Sequence, residues 1–123
     1  MQDITKINLI SAEMLRQQID NNPDLIMINV LSEKYYNDCH IKGSIHIAFE
    51  NLLEKVSSWD KDKDIVVYCA TSTCDRSKKA YQLMQDLGFV NLSEYAGGIK
   101  EWFIKGYETS GSCALPYLHE PAN

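Results

Sequence analysis

The residues best equipped for chemistry stand in one short segment, Cys69-Ala70-Thr71-Ser72-Thr73-Cys74-Asp75-Arg76. It follows Ile65-Val66-Val67-Tyr68, an apolar run of strand length, and it leads into a helical pattern. A thiol placed there is set up as a nucleophile. N–H groups of a tight loop and the N-terminus of the next helix both favour a thiolate. Such a setting lowers a cysteine pKa by one to several units from about 8.5. The same donors would hold an anionic substrate. Cys69 is thus the candidate nucleophile. Ala70, Thr71, Ser72, Thr73, Cys74, Asp75 and Arg76 form the candidate anion-binding loop. By itself, a cysteine ending a strand is equally read as a small core residue, and a lone arginine as a surface residue.

The chain has four cysteines, Cys39, Cys69, Cys74 and Cys113. A disulfide framework is the reading for a small secreted chain. Here the N-terminus, Met1-Gln2-Asp3-Ile4, has neither a basic start nor an apolar stretch, so no secretory signal is expected. The expectation is a cytoplasmic protein with mostly reduced thiols. Zinc is the next option, because Cys69 and Cys74 have ligand-like spacing. No second ligand pair follows at a suitable distance, since His40 and His46 flank a glycine turn and His119 lies far off. No metal is expected.

Length and composition narrow the field further. A chain of 123 residues with 45% hydrophobic and 24% charged content is one globular domain. No apolar run approaches the roughly 20 residues of a membrane span. A net charge of −5 disfavours a nucleic-acid partner.

The elements that must position the loop alternate between strand and helix. Ile4–Ile7 reads as a weak opening strand. Ser11 caps a helix bearing Ala12, Leu15 and Ile19, which ends at Asn21-Asn22-Pro23-Asp24. Leu25–Val30 reads as a buried strand, Glu33–Asp38 as a short helix and Ser44–Ala48 as a short strand. Phe49, Leu52, Leu53 and Val56 have helical spacing. Asp60–Asp64 is a charged turn. Ile65–Tyr68 is apolar without alternation, as in a parallel sheet covered on both faces. Ala80, Leu83, Met84 and Leu87 mark the helix after the loop, with Gly88 at its C-terminal end. Leu92–Tyr95 is a further strand, and Gly97-Gly98 opens a helix bearing Ile99, Trp102 and Phe103. This alternation predicts an α/β fold, a three-layer sandwich with a mostly parallel central sheet of about five strands flanked by helices. Chemistry in such sheets gathers beyond the C-terminal strand ends.

Taken in order, these residues resemble the rhodanese (sulfurtransferase) domain family. The resemblance rests on His40-Ile41-Lys42-Gly43-Ser44-Ile45, on Ile65–Tyr68 ending in Cys69, and on Arg76-Ser77 with Ala80 and Leu83. Gly88-Phe89-Val90-Asn91-Leu92, Gly97-Gly98-Ile99, Trp102 and Gly106-Tyr107 complete the series. It implies one rhodanese-like domain over 1–123, with a core from about 4 to 108 and a C-terminal tail over 109–123. There are departures. Six residues lie between Cys69 and Arg76, two more than the family pattern implies. Another alignment puts Cys74 at the usual arginine position, as a second thiol. The family's Asp-x-Arg is Asn29-Val30-Leu31 here. Its glycine before the signature histidine is Cys39, and its signature proline is Lys42.

The resemblance implies a thiosulfate sulfurtransferase. Cys69 takes sulfane sulfur from a donor such as thiosulfate, holds it as a persulfide and passes it to a thiol or cyanide-type acceptor, with no cofactor. Cys74 is the candidate resolving thiol, restored by a thioredoxin-like reductant. Lys78 and Lys79 would add positive potential at the mouth. Two other classes stay open. One is a Cys-dependent phosphatase or arsenate reductase-like enzyme, suggested by the long loop with its terminal arginine. The other is a non-enzymatic binding or persulfide-relay module. Cys39 and Cys113 are expected to be incidental thiols, the latter at the surface. Leu115, Tyr117 and Leu118 leave the tail free either to fold back or to fray.

Overall fold

The computed structural model describes residues 7–120. Along the chain run α1 (Ala12–Asn21), β1 (Ile26–Asn29), α2 (Glu33–Asp38), β2 (His40–Ile41), β3 (Ile45–His46), α3 (Phe49–Val56), β4 (Ile65–Tyr68), α4 (Arg76–Asp86), β5 (Leu92–Tyr95), α5 (Gly98–Ile104) and β6 (Thr109–Ser110). A 3-10 turn, Pro116–His119, closes the described chain. Four strands form one parallel sheet in the order β3-β1-β4-β5, so the strand that feeds the cysteine loop lies inside it. Ile28 and Val67 are in register, as are Val67 and Glu94. A fifth segment meets the β5 edge through a single parallel bridge, Leu9 to Glu94. The expected opening strand Ile4–Ile7 lies, apart from Ile7, outside the described residues.

Local chemistry explains most boundaries. The Ser11 side chain accepts the Met14 amide at 3.1 Å and starts α1, a cap of about 1 kcal/mol. At the end of α4, the Gly88 amide donates to Gln85 O and the Phe89 amide to Met84 O, at 3.0 and 3.2 Å. Gly88 has φ +101°, the left-handed turn that glycine adopts without penalty.

The three layers follow from side-chain alternation along the buried strands. Val67 and Cys69 share a core with Ile28, with Leu52 and Val56 of α3 and with Ala80, Tyr81 and Met84 of α4. Val66 and Tyr68 face Ala12 and Leu15 of α1 and Ile99 and Trp102 of α5. All four β4 residues are buried, as expected of a parallel strand covered on both faces. The buried face of α4 is Ser77, Ala80, Tyr81 and Met84. Leu83 and Leu87, expected in that face, are only partly buried beside the core.

The tail folds back. β6 pairs antiparallel with β2, His40 opposite Ser110. The amides of Ala114 and Leu115 donate to the Asp38 carboxylate at 2.9 and 3.3 Å, and Leu118 is buried. Cys113 is bonded to Cys39 as a disulfide, and both are buried. This corrects the expectation of two incidental thiols, with Cys113 at the surface. Residues 74 apart in sequence meet because β6 lies beside β2, which no spacing rule reveals. A disulfide suits an oxidising setting better than the cytosol, so the cysteine inventory no longer argues for a cytoplasmic location. No helix among the described residues is long and apolar enough to cross a membrane.

Closing so long a loop should stabilise the domain by ~2–4 kcal/mol. Cys113→Ser should lower the denaturant midpoint of the oxidised protein by a corresponding amount. Dithiothreitol should lower the wild-type midpoint and leave that of the variant unmoved. Equal sensitivity of the two proteins to reductant would refute the bond's contribution.

Candidate active site

The site is built at the C-terminal ends of the parallel strands. β4 delivers Cys69, and the chain then curls through Ala70–Asp75 before α4 begins at Arg76. A turn closes this loop, with the Cys74 amide donating to Thr71 O at 3.1 Å. The Thr71 and Thr73 hydroxyls lie 3.0 Å apart. α5 clamps the start of the loop from the other side. The Ile99 amide donates to Cys69 O at 2.9 Å and the Lys100 amide to Ala70 O at 3.0 Å. Gly98 makes this approach possible. Its φ is +75°, and a Cβ there would stand 2.6 Å from the Ala70 carbonyl.

Cys69 is a free, buried thiol. Its Sγ lies 3.5 Å from Cys74 O and 3.2 Å from Ser77 Oγ. The Ser77 hydroxyl in turn donates to Glu94 Oε2 at 2.6 Å. Its single proton being committed there, Ser77 presents lone pairs to the sulfur. The single Sγ–H proton thus has two acceptors to choose between, Cys74 O and Ser77 Oγ, and the resting state is the thiol. Burial, reinforced by the Cys74 thiol, pushes the Cys69 pKa up to about 11; the Ser77 amide, and the Ser77 hydroxyl when it turns its proton to the sulfur, pull the other way.

These findings correct the electrostatic expectation. In place of a ring of loop amides, the sulfur meets a carbonyl, a hydroxyl and the amide of Ser77. Its pKa rises instead of falling, because desolvation outweighs what the Ser77 hydroxyl and amide can donate. The cations near the loop are also engaged elsewhere. Arg76 pairs with Glu50 at 3.5 Å, Lys78 with Glu94 at 3.6 Å and Lys79 with Asp75 at 3.4 Å. Among the described residues, no group of three or more His, Cys, Asp or Glu could hold a metal ion.

Two residues of the site escaped the sequence reading, Ser77 and Glu94. Both left a signal. Ser77 precedes Ala80, Tyr81 and Met84 at i, i+3, i+4 and i+7, on the inner stripe of α4. Glu94 is a charge inside Leu92-Ser93-Glu94-Tyr95, where a parallel strand should be apolar. It is fully buried. The signature loop has a structural part. Tyr68 Oη accepts the Ile41 amide at 3.0 Å and lies 2.8 Å from Ser44 Oγ. His40 Nδ1 binds Tyr36 O at 2.7 Å, with the two rings stacked. Asn29, in place of the family aspartate, accepts the Leu31 amide at 2.9 Å.

Comparison with known proteins agrees with this architecture. The family model described as a rhodanese-like domain matches residues 11–105. The chain is 24% identical over 101 residues to a putative sulfur carrier protein, YrkF, of Bacillus subtilis, covering 82% of this chain and 54% of that protein. It is 31% identical over 105 residues to the tRNA uridine(34) hydroxylase of Photorhabdus laumondii, covering 80% of this chain and 29% of that protein. The chain thus spans about half or less of these curated relatives. The solution structure of the rhodanese-like domain from the Anabaena protein Alr3790 superposes with a TM-score of 0.78 at 28% identity, over 96% of this chain and 89% of that one.

The raised thiol pKa has a stability signature. The unfolded chain loses the Cys69 proton near its ordinary value of about 8.5, whereas the folded chain holds it to about 11. Stability is therefore complete below about pH 8.5 and falls as pH rises between those two values. Over that window the wild-type unfolding midpoint should fall more steeply than that of Cys69→Ala. Parallel curves would show that the thiol is not held protonated by burial.

Proposed function

The chain belongs to the rhodanese-like domain family, and from that premise we propose that it is a sulfurtransferase with Cys69 as its sulfur-carrying nucleophile. The observation that carries this reading is the position of Cys69. It is a free thiol at the C-terminal end of a central parallel strand, followed by a curled loop and a helix, in a chain matched by the family over residues 11–105. The Cys69 thiolate attacks the outer sulfur of a sulfane donor such as thiosulfate. A new S–S bond forms, the donor's S–S bond breaks, and the electron pair leaves on sulfite. A thiol or cyanide-type acceptor then removes the outer sulfur and regenerates the thiolate, in the two half-reactions of covalent catalysis. No cofactor enters either half-reaction.

Cys74 is the proposed resolving thiol. Its carbonyl lies 3.5 Å from Cys69 Sγ, and its own thiol is free and half-buried. Attack of Cys74 on the inner sulfur of the persulfide would release sulfide and leave a Cys69–Cys74 disulfide, which a thioredoxin-like reductant would reopen.

One observation favours a second reading, a persulfide-relay module. The matched region is only 54% and 29% of the two curated relatives described above. A domain that serves as part of a larger protein can hand sulfur to a neighbouring site. Support for a phosphatase is weaker, because Arg76, the cation such chemistry needs, is engaged by Glu50.

Mass spectrometry after incubation with thiosulfate, and separately with a low-molecular-weight persulfide, tests the main reading. Wild type should gain one sulfur, about 32 Da, at Cys69, and Cys69→Ser should gain none. Absence of the adduct with every donor would sink sulfur transfer. Cys74→Ser should prolong the life of the adduct several-fold; an unchanged lifetime removes the resolving role.

A further inference from the structure

The sulfurtransferase reading leaves one group without a task. Glu94 is a fully buried carboxylate, part of no motif, at the end of a hydrogen-bond chain that begins at the nucleophile. Its Oε1 is buried with no partner among the described residues. Building such a group into a small core is costly unless it is fully paired. Its partners come from α4 and the neighbouring loop. Ser77 donates to Oε2 at 2.6 Å, and the half-exposed Lys78 ammonium lies 3.6 Å from the same oxygen. Tyr81 occupies the same buried face of α4. Beyond Ser77 stand the Cys69 thiol and, next to it, the Cys74 thiol. From the Asn8–Ile10 segment, only backbone groups bond to Glu94.

We propose that Glu94 is the internal proton acceptor of Cys69, acting through the Ser77 hydroxyl. The proposal rests on Cys69 being the reacting thiol. The Cys69 S–H proton passes to Ser77 Oγ while the Ser77 hydroxyl proton passes to Glu94 Oε2. An S–H and an O–H bond break, and two O–H bonds form. The products are a thiolate, an intact serine and a neutral carboxylic acid. No electrons change hands. The serine hydroxyl now donates to the sulfur, the hydrogen bond that a thiolate or anionic persulfide requires.

The physical advantage lies in charge conservation. Deprotonating a buried thiol to bulk water would add a second negative charge beside Glu94, and both desolvation and like-charge repulsion oppose this. Passing the proton to Glu94 moves one buried charge and creates none. Lys78, close to solvent, is free to rehydrate when its partner becomes neutral. Ser77 is the hinge of the device, because its one proton can face either the carboxylate or the sulfur, not both. Glu94 and Ser77 are thus positioning residues that set the protonation state of Cys69.

The test is the pH profile of Cys69 alkylation by uncharged iodoacetamide, read at the Cys69 peptide by mass spectrometry over roughly pH 6 to 10. A carboxylate that only adds negative charge beside the thiol slows alkylation, whereas one that takes the thiol proton through Ser77 speeds it. Below about pH 8, wild type should therefore react several-fold faster than Glu94→Gln and Ser77→Ala. Ser77→Thr should restore the rate. Equal or faster alkylation of Glu94→Gln or of Ser77→Ala overturns the proposal. Should Glu94→Gln not fold, Ser77→Ala decides the same point with the buried carboxylate kept. Alkylation requires no sulfur donor, so failure of the relay and failure of persulfide formation register separately.

Discussion

The burial of β4 on both faces is the constraint on which the rest depends. Its four residues are sealed between two cores, and its backbone is paired on one side with β1 and on the other with β5. A strand held this way delivers its C-terminal residue to a fixed point with a fixed orientation. Alternation then assigns Cys69 to the α3/α4 face, where Ser77 waits on the inner stripe of α4. The β4–β5 register sets Val67 beside Glu94, which places the carboxylate next to the serine. α5 adds the last restraint through two amides donated to the Cys69 and Ala70 carbonyls. The positions of thiol, hydroxyl and carboxylate are thus consequences of one buried sheet.

The electrostatics of the site follow from the same burial. The buried Glu94 carboxylate needs a partner, and three half-exposed cations around the loop each face an acidic side chain. Arg76, Lys78 and Lys79 each face a carboxylate, so they leave less positive potential at the mouth than their number suggests. Exposed pairs of this kind contribute little to stability; their effect here is to divide the site's charge among local partners. The acidity of the thiol is then governed by desolvation and by its immediate neighbours, not by a field of loop amides.

The far end of the chain shows a second use of tertiary closure. Asp38 gathers the tail through its carboxylate and its backbone carbonyl, which accepts the Cys113 amide at 2.8 Å. The Cys39–Cys113 bond fastens the same junction covalently. β2 leads directly into the signature loop, whose Ile41 amide and Ser44 hydroxyl are tied to Tyr68. Tail, signature loop and central strand thus form one continuous support beneath the active end.

The sequence by itself determined the elements and the family. Local composition set Glu33–Asp38, Ile65–Tyr68 and Leu92–Tyr95 at their observed limits, because short apolar or polar runs between turn residues are local properties of the chain. The order of short motifs carried the rhodanese resemblance and singled out Cys69 and the start of α4 at Arg76. Tertiary structure decided what long-range pairing controls. Cys39 and Cys113 meet only because β6 lies against β2. Ser77 and Glu94 join Cys69 only because α4 packs over β5. The direction of the thiol's pKa depended on how much burial opposed how few donors, a balance that no spacing of residues encodes.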